Sequence, residues 1–329
     1  MTPHVSVLMP VYNTETFLPE ALASILNQRY TDFELIVIDD ASTDKSMEIV
    51  TSWGDTRIRV LYQNHRQGIA KALNRGIDIC RGNFIARMDA DDISHPYRIE
   101  KQVQFLENRP KIGACGTFAN IIGRDETWTM PLSDEAIRAE LIFNSPLLHP
   151  TVMMRKHALV GLKYDETFTK SQDYDLWERL SAVTRLANIP EALLSYRLHE
   201  KNTAPAATGI QTTFADMVRT RMLRRIGIEP RPDEILLHRR ISLRTLRKGI
   251  GESIKAGIWL GRIYSVCRGH AQLSRPDSLN IIRARKSSLG NVRSRLENSL
   301  LETAWKLGEA LGSIRQAGGF LSKNSHPMF

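Results

Sequence analysis

Residues 85–92 read Ile85-Ala86-Arg87-Met88-Asp89-Ala90-Asp91-Asp92, an apolar run that ends abruptly in three carboxylates. Acidic side chains delivered by the carboxyl end of a strand suit a hard divalent cation. Such ions take oxygen ligands and bridge two phosphate oxygens while one or two carboxylates anchor them. A polar turn capping a strand, with a helix starting near Ser94 or Pro96, would use the same residues. The flanking segments decide between the two.

Upstream, Val5 to Met9 and Glu34 to Asp39 are short β-rich runs, and Leu35-Ile36-Val37-Ile38 is continuously apolar, as in a parallel strand covered on both faces. Between them Leu18, Ala21, Leu22, Ile25 and Leu26 recur at the spacing of an amphipathic helix. The alternation predicts a helix over Thr43 to Ser52, a strand over Ile58 to Tyr62, a helix with Ile69, Leu73 and Ile77 on one face, and a strand over Phe84 to Met88. A helix from Pro96 to Asn108 follows, with Pro96 in its first turn and Ile99, Val103 and Leu106 facing inward. Repeated βα units imply an α/β fold of Rossmann type, a mixed, mainly parallel sheet with helices on both faces.

In that architecture ligands sit beyond the carboxyl ends of the strands. The residues leaving the four strands are Pro10-Val11-Tyr12-Asn13, Asp39-Asp40-Ala41-Ser42-Thr43-Asp44, Asn64-His65-Arg66-Gln67-Gly68 and the Asp89 to Asp92 cluster. An aromatic ring, a carboxylate to accept from a base N–H, and a metal site together suit a nucleoside diphosphate. Neither a Gly-x-x-x-x-Gly-Lys nor a Gly-x-Gly-x-x-Gly loop follows the first strand, which argues against P-loop and dinucleotide-binding readings.

With these residues in order, the chain resembles the inverting family-two glycosyltransferases, whose catalytic domain has the nucleotide-diphospho-sugar transferase (GT-A-like) fold. The resemblance spans residues 4–203 and includes the strand ends above, Gly68 to Gly76 with Leu73-Asn74, Gly82-Asn83-Phe84-Ile85, Pro96 with Arg98, and Gln172-Asp173-Tyr174-Asp175-Leu176-Trp177. It implies a nucleotide site of Pro10, Tyr12, Asn13, Asp39, Asp40 and Asp89, with Tyr12 and Asp40 on a uracil-type base. It implies Asp91 on Mn²⁺ or Mg²⁺. Capping of the next helix is the plain alternative for Asp39 and Asp40.

The resemblance makes Asp173 the base that removes the acceptor proton as the oxygen attacks from the face opposite the leaving diphosphate. The family commonly has a glutamate before this aspartate, whereas Gln172 stands here, which removes a neighbouring negative charge. A helix starting near Tyr174 would give Asp173 a capping role as well. Arg197 and His199, in Tyr196-Arg197-Leu198-His199, resemble a segment that neutralises the leaving diphosphate, and His149 matches a recurring family segment. The Gln-x-x-Arg-Trp motif of the membrane-embedded processive polymerases is absent, which fits one sugar added per encounter. A nucleotide-sugar donor and a glycan or lipid-linked acceptor, in surface polysaccharide or lipopolysaccharide assembly, are the implied partners.

The 329 residues carry a net charge of +9, divided unevenly: residues 1–204 sum to −4 and residues 205–329 to +13. The Pro205-Ala206-Ala207-Thr208-Gly209 stretch reads as a linker at that shift, dividing a catalytic domain (1–204) from a basic, mostly helical region (205–329). In the latter, Leu243, Leu246, Ile250, Ile254 and Ile258 recur at helical spacing among Arg240, Arg244, Arg247, Lys248 and Lys255. This predicts a basic amphipathic helix able to meet an anionic membrane surface. Three dispersed cysteines and the lack of a cationic leader or an 18-residue apolar run lead us to expect a cytoplasmic protein, peripheral on the inner face of the membrane.

Two other functions fit parts of the chain. A sugar-phosphate nucleotidyltransferase shares the general fold but needs a glycine- and lysine-rich loop where Pro10-Val11-Tyr12-Asn13 stands. A nucleic-acid-binding protein would use the basic half, yet no recognition module is present, the other half is acidic, and no nucleic-acid partner is expected.

Overall fold

The computed structural model describes residues 2–198, 209–247, 249–289 and 295–322. Two compact units emerge, one of Met1–Asp134 with Ser145–Ala215, the other of Glu135–Asn144 with Asp216–Phe329.

The first unit opens with β1 (Val5–Val11), α1 (Leu18–Leu26), β2 (Phe33–Asp39), α2 (Ser46–Ser52), β3 (Ile58–Tyr62), α3 (Ile69–Ile79) and β4 (Phe84–Arg87). Then come β5 (Ile93–Ser94), α4 (Arg98–Glu107), β6 (Ile112–Ile121) and β7 (Thr127–Trp128). After α5 (Asp134–Glu140), which straddles the division, follow β8 (Met153–Arg155), α6 (Gln172–Val183) and β9 (Arg185–Tyr196). One mixed sheet results, ordered β3-β2-β1-β4-β8-β6-β9-β5, with β7 on β6. β3, β2, β1 and β4 run parallel, β8 is antiparallel to β4 and β6, and β9 is parallel to β6. Every residue of β2 is buried, as its unbroken apolar run requires. All five apolar residues of the α1 stripe are buried, as are Ile99, Val103 and Leu106 of α4.

Two helices start later than their periodicity predicts. α2 begins at Ser46 instead of Thr43 because residues 42–45 are drawn into hydrogen bonds with the loop after β1. α4 begins at Arg98 because Pro96 spends its carbonyl on Arg29 N, at 3.0 Å.

The second unit contains most of α7 (Gly209–Arg225), with α8 (Pro232–Ser242), α9 (Ile250–Gly269), α10 (Pro276–Ser287) and α11 (Arg295–Ser322). Its axis is the contact of α9 with α11. Glycines let the two backbones touch: a Cβ on Gly261 would lie 2.2 Å from the Trp305 carbonyl oxygen, and one on Gly308 2.0 Å from that of Ile258. The single amphipathic helix expected across Leu243 to Ile258 is not formed. α8 stops at Ser242, Arg244 and Gly249 have positive φ (55° and 143°), and a new helix starts at Ile250. In its first turns α9 buries the small residues Ser253, Ala256 and Gly257, a stripe beside the expected one, and from Trp259 to Cys267 it is buried on every face. Lys248 lies outside the described residues. No described helix is long and apolar enough to cross a membrane.

Candidate active site

The sheet order reverses at β1, which lies between β2 and β4, and the crevice beyond those carboxyl ends is where such sheets bind ligands. Pro10 lies on the stretch of β1 beyond its last partner on β4, where the missing N–H is tolerated. The chain then turns through Asn13, whose φ is 50°, opposite Ala41, whose φ is 62°. Asn13 Oδ1 accepts from Thr43 N (2.8 Å) and Asp39 Oδ1 from Ser42 N (2.9 Å), so the loops after β1 and β2 hold each other. Residues in this sparsely populated backbone region persist only when their surroundings fix them, and they concentrate at functional sites.

Asp40 is nearly saturated. Its Oδ1 accepts from Gln63 Nε2 (2.9 Å) and Gln67 N (2.7 Å), and its Oδ2 from Gly68 N (3.0 Å). The carboxylate therefore shapes the β3–α3 loop, and Oδ2 keeps acceptor capacity. That loop lays the Arg66 guanidinium 4.0 Å from the centre of the Tyr12 ring. Pro10, Tyr12, Asn13, Asp39 and Asp40 thus meet in one crevice, joined by Arg66 of the strand-end loop after β3, to which no role had been given.

The acidic turn follows β4 directly, held by the Met88 N to Leu8 O bond of 3.0 Å. Asp89, Asp91 and Asp92 each offer a carboxylate oxygen, and these oxygens all lie within 4.8 Å of one another. Burial and the two neighbouring carboxylates push Asp92 up to about 8. Asp89 is also raised, by burial and then Asp91, against the opposing charge of Arg87, with which it forms an ion pair. Asp92 Oδ2 is buried with no hydrogen-bond partner. An all-oxygen donor set, a partnerless buried oxygen and mutually repelling carboxylates fit a hard divalent cation.

Beneath this turn Arg98 is fully buried and donates to the carbonyls of Arg87 (2.9 Å) and Pro150 (2.8 Å), tying the end of β4 to residues 149–151. Burial, reinforced by Arg87, brings Arg98 down to about 10. Arg197 closes the turn from the end of β9. Its N–H donates to Asp92 Oδ1 and its Nε to the Asp91 carbonyl, both at 2.9 Å, while the guanidinium pairs with Glu20 and stacks 4.7 Å from the Phe17 ring. His199 lies outside the described residues.

Asp173 stands in the first turn of α6, which starts at Gln172 and not near Tyr174, so it does not cap the helix. The cap position belongs to Ser171, held at φ 56°. Burial raises Asp173 above the ordinary carboxylate range, outweighing the N–H groups of Tyr174 and Asp173 itself, the charge of Arg87 and a 3.5 Å bond from Ser145 Oγ. The result is a carboxylate with increased proton affinity at a helix start.

A buried polar layer is within electrostatic reach of both the acidic turn and Asp173, since the charges of Asp173 and Asp89 both act on Tyr164. His149 Nε2 is 2.8 Å from the Tyr164 hydroxyl, and burial with the nearby Arg87 charge depresses the imidazole well below its ordinary value, so it is neutral. Asn74 fixes the Tyr164 backbone in both directions, at 2.9 Å each. Arg87 faces this whole layer: its charge reaches Asp89, Asp92, His149, Tyr164 and Asp173. The available signal was a guanidinium inside an otherwise apolar strand, a residue that enters a core only with a partner.

Residues 6–164 match the model of glycosyl transferase family 2. An uncharacterized glycosyltransferase of Haemophilus influenzae is 34% identical over 250 residues, 69% of this chain and 76% of that protein. The O-antigen biosynthesis glycosyltransferase WbnJ of Escherichia coli is 32% identical over 62% of this chain and 83% of its own length. Among solved structures, S. aureus TarS 1-349 in complex with UDP-GlcNAc superposes with a TM-score of 0.59 at 18% identity, covering 86% of this chain and 90% of that one. The mannosyltransferase PcManGT of Pyrobaculum calidifontis, in complex with GDP-Man and Mn²⁺, gives 0.51 at 17% identity over 96% and 85%. Those structures share the fold; the sequence matches, joined to a crevice that gathers an aromatic ring, paired aspartates and an acidic turn at the strand ends, show that the chain belongs to glycosyl transferase family 2.

Proposed function

We propose that this glycosyltransferase moves a sugar from a nucleoside-diphosphate donor of the uridine type to an acceptor hydroxyl, with inversion at the anomeric carbon. The observation that carries the proposal is the placement of two kinds of carboxylate in one unit. A crowded trio, Asp89, Asp91 and Asp92, ends β4, and a separate, more basic Asp173 starts α6. The UDP-GlcNAc held by the TarS structure supports the donor class.

Asp91, with Asp89 and Asp92 in reach, would hold Mn²⁺ or Mg²⁺, and a bound cation supplies charge neutralisation at a diphosphate. Tyr12, with Asp39 and Asp40, receives the base. Asp173 takes the acceptor proton as the oxygen attacks; its raised proton affinity strengthens it as a base, and deprotonation remains the working state above its own pKa. Arg197, anchored beside the acidic turn, adds positive charge at the leaving group in this reading once its bond to Glu20 gives way; its two bonds to the turn support the role.

The relationship to an O-antigen enzyme supports an acceptor in surface polysaccharide or lipopolysaccharide assembly, a glycan or lipid-linked saccharide; a lipid-linked acceptor in turn would hold the enzyme peripherally at the membrane. UDP release by the purified protein across a panel of nucleotide sugars tests the proposal. A donor whose turnover rises on addition of acceptor is the expected result, and hydrolysis of no nucleotide sugar with any metal would overturn it.

A further inference from the structure

α8 ends in a left-handed stop: Leu243 is its C-cap, Thr245 N donates to Arg240 O at 2.9 Å, and Arg244 holds φ at 55°. Glycine is the residue that usually fills that position, because a side chain there is strained. The chain reaches α9 through Gly249, whose φ is 143°. On this corner Leu243 and Ile250 are 38% and 36% exposed, Leu246 is half-buried, and Arg244, Arg247 and Lys255 are exposed. None of the three cations forms an ion pair with a carboxylate among the described residues, although the Arg244 charge reaches Glu140. The acid nearest in sequence, Glu252, is already paired with Arg240 at 2.7 Å. Among the described residues the corner therefore combines exposed aliphatic side chains with exposed cations, and the one acid in the 239–258 sequence, Glu252, is half-buried and already paired.

We infer that the α8–α9 corner is the protein's docking surface for an anionic lipid bilayer. A nucleic acid or acidic polymer would use the cations and leave Leu243 and Ile250 in water. An apolar protein groove would cover the aliphatics and leave three cations unneutralised. The headgroup boundary of an anionic membrane accepts both, with aliphatic side chains entering the upper acyl region and Lys or Arg remaining among phosphates. A bilayer phosphate would be an outside partner for the exposed Arg244 guanidinium, which gives a reason for an arginine where glycine would be less strained. The inference extends the lipid-linked acceptor of the proposed function, but it stands on the second unit alone.

Flotation of the full chain with phosphatidylcholine vesicles, with and without phosphatidylglycerol, tests it. The wild type floats only with the anionic vesicles, and added salt weakens the association. Arg244→Gly combined with Arg247→Gln and Lys255→Gln lowers partitioning by about a hundredfold, roughly fivefold per charge. Arg244→Gly relieves backbone strain, so this variant keeps its fold. Leu243→Ser with Ile250→Ser also lowers partitioning but leaves the salt dependence in place. Absent flotation, equal flotation with neutral vesicles, or insensitivity to either variant overturns the docking surface; loss on charge removal alone points instead to an acidic polymer and overturns it too. UDP release measured without vesicles keeps the readings apart. Failed flotation with intact turnover removes only the docking surface, and intact flotation without turnover removes only the proposed chemistry.

Discussion

Arg87 and Asp89, two residues apart at the end of β4, form an ion pair in which the guanidinium side chain is 2% exposed and the carboxylate 29%. The strand buries a cation directly beneath the acidic turn, which brings an internal counter-charge to three carboxylates that would otherwise repel one another. Asp89 raises the Arg87 pKa against the cost of burial, so the charge is retained. A buried pair adds little net stability, yet removing one partner leaves the other uncompensated.

Arg87→Met is accordingly expected to destabilise the first unit by about 3 kcal/mol and to weaken donor binding, with Arg87→Lys intermediate. Chemical denaturation and UDP titration measure the two effects. A stability change within about 0.5 kcal/mol, the range of ordinary surface substitutions, would remove the counter-charge role.

Asp173→Asn should separate binding from chemistry. Donor affinity stays near wild type while transfer falls by about two to four orders of magnitude, the span usual for a positioned base. Retention of more than about a tenth of wild-type transfer at saturating substrate would remove Asp173 from the base role.

Exhaustive EDTA treatment should abolish transfer, with Mn²⁺ or Mg²⁺ restoring it, and Asp91→Ala should lose the metal response together with tight donor binding. Isothermal titration of UDP with and without Mn²⁺ reads this independently of turnover. Full activity after chelation would mean that the acidic turn serves another purpose.

The second unit should weaken in mild acid. His238 is buried and neutral, 2.7 Å from the Ile142 carbonyl through Nε2 and accepting from Trp259 Nε1 at 3.0 Å, and burial brings it down to about 3. Because the folded pKa lies below the unfolded one of about 6.5, its stabilising contribution is complete above pH 6.5 and is lost as pH falls toward 3. The slope approaches roughly 1.4 kcal/mol per pH unit in that window. Denaturation followed by tryptophan fluorescence at pH 7 and pH 5 should show the loss, with a flatter dependence in His238→Gln. Equal stability at both values in the wild type would contradict the assignment.

One strong local pattern suffices to place several elements. Continuous apolar runs placed β2, and 3.6-residue stripes placed α1 and α4, because burial of such faces is a local necessity wherever the rest of the chain lies. Periodicity does not mark the break at the α8–α9 corner. Leu243 to Ile258 keeps helical spacing across a left-handed turn, and the glycines that draw α9 onto α11 bury a neighbouring stripe instead. Periodicity records which residues share a face, not which face a partner will cover.

The sequence by itself determined the βα alternation, the strand-end position of Tyr12, Asp39, Asp40 and Asp89 to Asp92, and the likeness to the family, since each depends on short-range order along the chain. Only the tertiary structure decided that Asp40 spends its oxygens on Gln63, Gln67 and Gly68, that Arg66 covers Tyr12, and that Arg197 grips the acidic turn from the end of β9. It also decided that Arg87 faces Asp89 and acts on Asp173, a residue 86 positions further along. Charges, hydrogen bonds and burial act through space, and the partners that set the chemistry of a carboxylate are fixed only when the sheet has brought distant segments together.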